Sequence, residues 1–137
     1  MSHFYDEITT ALPELKVLKD EPMRRHTTFR IGGPADYFVC PGRAQIAEVL
    51  AVAKKCGMAI TVIGNGSNLL VGDKGIRGLV VEIGSAMNQI MVDKNRITAG
   101  AGALLSQVAA KAAAAELGGM EFAAGIPGSV GGAVTMN

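Results

Sequence analysis

The sequence has little of what most self-contained catalytic centres are built from. It carries two histidines, His3 and His26, and two cysteines, Cys40 and Cys56. Both histidines lie far along the chain from the glycine-rich stretches and in charged surroundings, so both are read as exposed surface residues. No Ser–His–Asp order and no pair of carboxylates stands out, which argues against nucleophilic or acid–base catalysis by this chain alone. Asp73 and Glu82 flank one glycine loop and are read as a turn residue and a strand-edge charge. The cysteines have neither CxxC spacing nor a histidine neighbour, which argues against zinc and against a redox pair. They are read as two buried thiols, with a disulfide between them left open. No residue is assigned as catalytic and none as a metal ligand.

An excess of charge of one sign is also lacking. The net charge is +1, which leaves no broad electrostatic footprint for nucleic acid or an anionic membrane. The short basic run Arg24-Arg25 is read as the solvated entry to a strand. No window approaches the roughly 20 apolar residues of a membrane span. The N-terminal stretch carries Asp6, Glu7 and Glu14 and has no apolar core run, unlike a secretory signal. A cytoplasmic protein without nucleic-acid or membrane partners is expected.

What is present fits one globular domain. The chain has 137 residues, 49% hydrophobic and 18% charged, enough apolar mass to bury a core. Its 18 glycines are about twice the usual frequency of roughly 7%. They are clustered, and clusters of glycine mark sharp turns or close approach of backbone to a ligand.

The periodicity predicts a helix over 4–18 from Ile8, Leu12 and Leu15, weakened by Pro13 and broken at 20–22. A short strand over 27–30 leads into the turn Gly32-Gly33-Pro34. A strand follows over 35–40, a helix over 44–56 stopped by Gly57, and a strand over 59–63. After a loop and a turn-rich link comes a buried strand over 78–83. Strand, helix, strand within about 30 residues is a βαβ unit. The pattern then changes to a hairpin around Asp93-Lys94-Asn95, with strands over 88–92 and 96–99. An alanine-rich helix over 104–117 is capped by Gly118-Gly119. The change of pattern places a boundary near Gly84.

Three glycine-rich stretches carry the chemistry. The first is Ile63, Gly64, Asn65, Gly66, Ser67, Asn68 and Leu69. A strand feeds a loop of small residues whose successive N–H groups can converge on an anion, as they do around a diphosphate. An ordinary tight loop is the other reading. The stretch lacks the Gly-Lys-Ser/Thr of a Walker A loop, and Leu69 stands where a full dinucleotide fingerprint has its third glycine. The second stretch is Gly100, Ala101 and Gly102, between a strand and a helix. It mimics a Rossmann start but has Leu105 for the third glycine, so the narrower reading is backbone approach to the same cofactor. The third is Gly125, Ile126, Pro127, Gly128, Ser129, Val130, Gly131, Gly132 and Ala133. Pro127 stiffens a surface without side-chain bulk, against which a planar ring could lie. Ser129 could cap a helix starting at Val130 and turn its N–H groups to a ligand. A close crossing of helix and backbone explains the same glycines.

With these residues in view, the chain resembles the UDP-N-acetylenolpyruvoylglucosamine reductase family. Three stretches carry the resemblance: His26-Thr27-Thr28-Phe29-Arg30-Ile31-Gly32-Gly33-Pro34-Ala35-Asp36, then 63–71, then 125–137, in that order and spacing. The resemblance covers almost everything from Met23 onward. It implies an α+β, FAD-binding fold of the vanillyl-alcohol-oxidase type with two subdomains, and FAD as cofactor. In such a fold 64–69 holds the FAD diphosphate, 125–133 lies along the flavin, and 98–102 is near it. The family reaction takes a hydride from NADPH through FAD to an enolpyruvyl ether on a UDP-sugar, and a protein acid protonates the neighbouring carbon. The family's active-site arginine, its serine or cysteine proton donor and its glutamate lie beyond the last matching motif. The expectation is therefore an inactive chain of three parts: an N-terminal helical extension over 1–22, a first subdomain over 23–83, and a truncated second subdomain over 84–137 whose open apolar surface favours self-association.

Rival readings are another FAD-dependent oxidoreductase of the same fold and a flavin-binding fragment without catalysis. A third is a nicotinamide-binding Rossmann domain built on 100–104.

Overall fold

The computed structural model describes residues 2–136. It has two sheets and four α-helices among the described residues. Helix α1 (Ser2–Ala11) places Phe4 and Ile8 on one face, spaced so that both point the same way, and both are fully buried. The helix ends before Pro13, whose ring cannot continue the ladder. Strand β1 (Val17–Pro22) then runs where the sequence pattern suggested the end of a helix and a break. It is an edge strand, antiparallel to β2 (Pro34–Val39). An edge position tolerates the terminal Pro22 and the exposed charges Lys19 and Asp20. Tertiary pairing has overridden local propensity here.

A short turn of 3-10 helix over Met23–Arg25 follows β1. Residues 27–30 form a bend instead of the expected strand: the Arg30 amide returns to the Thr27 carbonyl at 3.1 Å, and Arg30 has a φ of 56°. Helix α2 (Ile46–Lys55) joins β2 to β3 (Ile60–Ile63), and β4 (Ile76–Glu82) lies between those two strands, parallel to both. The sheet order is β1-β2-β4-β3. The expected βαβ unit is therefore present, but a later strand is inserted into it. Two β4 residues show how it is held in place. The Gly78 amide donates to Asp36 Oδ2 at 2.9 Å, and the Arg77 guanidinium pairs with Asp36 Oδ1 at 2.9 Å.

The core has two halves because side chains alternate along a strand. Leu79 and Val81 face α1 and α2 together with Tyr37 and Val39, while Val80 and Phe38 face the other side with Met23, Ile63 and Val71. A strand buried on both faces reads as a continuous apolar run, which is why Leu79-Val80-Val81 was legible as buried.

The second sheet is the hairpin of β5 (Ile90–Asp93) and β6 (Arg96–Ala99), with Lys94 at a φ of 56° in its turn. Helix α3 (Leu105–Ala114) follows and buries Val108, Ala109 and Ala112. It stops three residues before the expected Leu117, and the left-handed residue of its terminus is Glu116 at a φ of 58°. The Leu117 amide still reaches back to the Ala112 carbonyl at 2.8 Å, which closes the helix end. Helix α4 (Val130–Met136) is the last element.

Candidate functional site

Strands β3 and β4 are parallel and end side by side, with Ile63 paired to Glu82. Ligands of parallel sheets gather outside the carboxyl ends of the strands, and the 64–69 loop leaves β3 at that edge. Gly66 takes a φ of 73°, which suits glycine. A Cβ there would also run into the carbonyl oxygen of His26. The Thr28 amide donates to the Gly66 carbonyl at 3.1 Å, so the 26–30 bend braces the loop. Within the loop, the Ser67 amide donates to Asn65 Oδ1 at 3.2 Å. The amides of Asn65, Gly66 and Asn68 have no acceptor among the described residues. Such amides on a glycine loop are what a diphosphate requires.

The other two glycine stretches come to the same place. A Cβ at Gly64 would stand 2.8 Å from Ser129 Oγ, and one at Gly128 would stand 3.5 Å from Ser67 Oγ. Leu104 bridges Ser129, the Val130 amide donates to the Ala103 carbonyl at 2.8 Å, and the Gly131 amide donates to the Ala101 carbonyl at 2.9 Å. Ser129 is buried and accepts the Gly132 amide at 3.2 Å, which makes it the expected cap of α4. The same bonds correct one detail: the first amides of α4 are taken up inside the chain and do not turn to a ligand. Gly100 and Gly102 lack a side chain because the Met87 and Gly84 carbonyls press against them. By contrast, Gly125 has open space around it and Ile126 is exposed.

The Rossmann reading of 100–104 fails on topology. Strand β6 lies in an antiparallel hairpin, and Gly100 and Gly102 face backbone.

A cleft of about 630 Å³ opens beside the 64–69 loop, lined by Asn65 and Gly102 and by Arg25, His26, Thr27, Thr28, Arg30, Glu82, Gly84, Ser85, Asn88, Leu104 and Gln107. Sequence reasoning missed most of this wall. Residues 27–30 read as a strand in the sequence, and a strand there offers no site. His26 is also not the exposed residue expected. Its ring stacks on Phe38 with centroids 4.0 Å apart, its Nε2 lies 2.9 Å from Glu21 Oε1, and its Nδ1 lies 3.3 Å from Glu82 Oε2. Glu82, read as a strand-edge charge, is thus a partner of His26. Cys40 and Cys56 are free and half-buried, which settles the disulfide and corrects the expectation of full burial. Burial pushes the Cys40 thiol up, and the neighbouring Glu82 carboxylate adds to the effect.

The described residues fit FAD: they supply unpaired amides at a strand-end loop and a second, open glycine stretch beside it. Comparison with known proteins agrees. The FAD binding domain family matches residues 34–137. A UDP-N-acetylenolpyruvoylglucosamine reductase of Agathobacter rectalis is 58% identical over 98% of this chain, and the chain spans 46% of that relative's length. The crystal structure of the corresponding reductase from Thermus caldophilus superposes with a TM-score of 0.66 at 34% identity, covering 88% of this chain and 41% of that one. An alkyldihydroxyacetonephosphate synthase, 19% identical, shares the fold with a TM-score of 0.62 over 83% of this chain and 27% of its own. The fold is thus the expected FAD-binding fold of the vanillyl-alcohol-oxidase type, and this chain belongs to the FAD-binding domain family.

Proposed function

We propose that this chain holds FAD for a cytoplasmic reductase that moves a hydride from NADPH to the enolpyruvyl double bond of UDP-N-acetylglucosamine enolpyruvate. The relatives' printed names support the substrate, and the fold supports the cofactor. The observation that carries the reading is the 64–69 loop, whose unpaired amides lie at the joint carboxyl end of β3 and β4. When bound, FAD supplies the hydride-accepting and hydride-donating chemistry.

The chain's own residues bind and orient. The amides of Asn65, Gly66 and Asn68 donate to the diphosphate, with Ile63, Gly64, Ser67 and Leu69 shaping the loop. Gly125, Ile126 and Pro127 offer an open surface to the ring. Gly128, Ser129 and Gly131 set the position of that surface by pairing with Leu105, Leu104 and Ala101, and Ser129 caps the helix that carries Gly132 and Ala133. Residues 23–83 and 84–137 act as two subdomains with the cofactor between them. Residues 2–22 support the first by adding β1 and α1 to its sheet and core.

The reading assigns to none of this chain's residues the donation of the proton that completes the reduction. The purified chain, mixed with FAD, NADPH and the enolpyruvyl substrate, is therefore expected to bind flavin and to leave the substrate unchanged. Substrate-dependent oxidation of NADPH by the chain would refute this division of labour.

A further inference from the structure

The 64–69 loop offers amides to a diphosphate but no charge, because none of its residues is basic. An anion is held best where backbone donors and a cation act together. One cation is carried by the 27–31 bend, which is docked on the loop where the Thr28 amide donates to the Gly66 carbonyl at 3.1 Å. Two further bonds hold the bend. The Arg30 amide donates to the Thr27 carbonyl and the Thr27 hydroxyl donates to the Ile31 carbonyl, each at 3.1 Å. Thr27 is itself buried. Arg30 follows Thr28 by two residues, so at most about 7 Å of chain separates it from the bond to the loop.

Besides His26, the ionisable side chains that line the cleft with Asn65 are Arg25, Arg30 and Glu82. Arg25 lies 3.8 Å from Glu21, and Glu82 lies 3.3 Å from the His26 ring. The Arg30 guanidinium has no ion-pair or hydrogen-bond partner among the described residues. Arg30 also has a φ of 56°, a left-handed conformation that side chains rarely adopt and glycine takes freely. Backbone conformation alone does not single it out, because Lys94 has the same φ of 56°. Lys94 sits in the exposed turn of the β5–β6 hairpin and does not line the cleft. What sets Arg30 apart is an unpaired positive charge on the wall of the cleft that the phosphate loop shares.

Resting on the FAD reading above, we infer that Arg30 is a binding residue for the cofactor: its guanidinium supplies the positive charge that the 64–69 amides lack and pairs with the diphosphate of the dinucleotide. A Walker-type loop carries backbone donors and a cation in one stretch. Here the work is divided. The loop gives the donors, the bend gives the cation, and the bond from Thr28 to Gly66 ties the two together. Arginine suits the task because its planar fork meets two phosphate oxygens at once.

The test compares the full chain, unaltered, with Arg30→Gly, Lys94→Gly and Arg30→Lys. Arg30→Gly and Lys94→Gly each remove one positive charge and each relieve a left-handed side chain, so both are expected to melt at least as high as the unaltered chain. The FAD dissociation constant, from quenching of flavin fluorescence, separates them. At low salt Arg30→Gly is expected to bind about five- to tenfold more weakly, the lower end for a charge-assisted contact because the side chain is exposed. In about 0.5 M salt the difference is expected to narrow, because screening weakens the pair. Lys94→Gly is expected to bind like the unaltered chain, and Arg30→Lys to recover part of the loss. An Arg30→Gly chain that binds FAD like Lys94→Gly, or a loss that salt leaves unchanged, would overturn the inference. If Arg30→Gly loses its cooperative melt, Arg30→Gln takes its place with the same expectations. A second readout needs no flavin: the rise in melting temperature caused by inorganic pyrophosphate is expected to be smaller in Arg30→Gly than in Lys94→Gly. An unaltered chain that binds no FAD would overturn the FAD reading. Pyrophosphate would then decide the role of Arg30 alone, and an equal rise in both variants, or none in any chain, would overturn it.

Discussion

Replacing Gly66 with alanine tests the cradle at its tightest point. Two separate costs act there. Gly66 has a φ of 73°, and a left-handed alanine costs about 1–2 kcal/mol relative to glycine. The new methyl would also meet the His26 carbonyl, and relieving such an overlap costs about 1–3 kcal/mol. Together the two come to about 2–5 kcal/mol, a fall in melting temperature of roughly 6–15 °C for a chain of this size. To escape the carbonyl, the loop has to retreat by roughly 1.5 Å, the gap between that contact and van der Waals separation. The Asn65 and Asn68 amides move with it, and losing one contact to an anion weakens FAD binding by about tenfold to a hundredfold. Two other glycines calibrate the result. Gly57 has a φ of 65° but open space around it, so Gly57→Ala isolates the backbone cost of about 1–2 kcal/mol. Gly72 has neither a positive φ nor a neighbour within 4 Å, so Gly72→Ala is expected to stay within about 0.5 kcal/mol. Thermal melts and FAD titrations of the three variants check the series. A Gly66→Ala chain that melts and binds FAD like Gly72→Ala would refute the reasoning.

Two further outcomes are expected. Ser129→Ala removes the cap from α4 and is expected to cost about 1 kcal/mol; it should leave the melt of the first sheet's core intact, and amide exchange that speeds up at Leu79 to Val81 as much as at Gly132 would contradict this. The Cys40 thiol is pushed up, first by burial, so the folded state holds that proton more tightly than the unfolded one. Its stability contribution is full below the usual thiol value of about 8.5 and is lost as the pH rises through the higher folded value. Urea midpoints between about pH 8 and 10.5 should therefore fall more steeply in the unaltered chain than in Cys40→Ala, and equal slopes would count against the assignment.

Much of the fold was legible because its signals are local. Leu79-Val80-Val81 is a continuous apolar run and proved to be a central strand. The α2 helix and the hairpin at Lys94 follow from periodicity and turn residues. The β1 strand was not legible: Leu15 and Leu18 continue a helical spacing, and only pairing with β2 makes 17–22 extended. The insertion of β4 between β2 and β3 is a long-range choice that no local pattern records. For the site, glycine clusters pointed to the right loops, but two reasons for glycine look alike in sequence. Gly66 borders amides left open for a ligand, whereas Gly100 and Gly102 make room for the Met87 and Gly84 carbonyls. The cleft wall at 25–30 was not legible because its residues fit a strand pattern, and His26 because Glu21 lies on the illegible β1 strand and Glu82 comes from β4, far along the chain.

The most direct measurement is a titration of the purified chain with FAD, followed by desalting and an absorbance spectrum. The account predicts a retained flavin band near about 450 nm, a property of the bound oxidised cofactor, at one flavin per chain. A chain with a cooperative melt that retains no flavin would contradict the claim that residues 64–69 and 125–133 form its cradle.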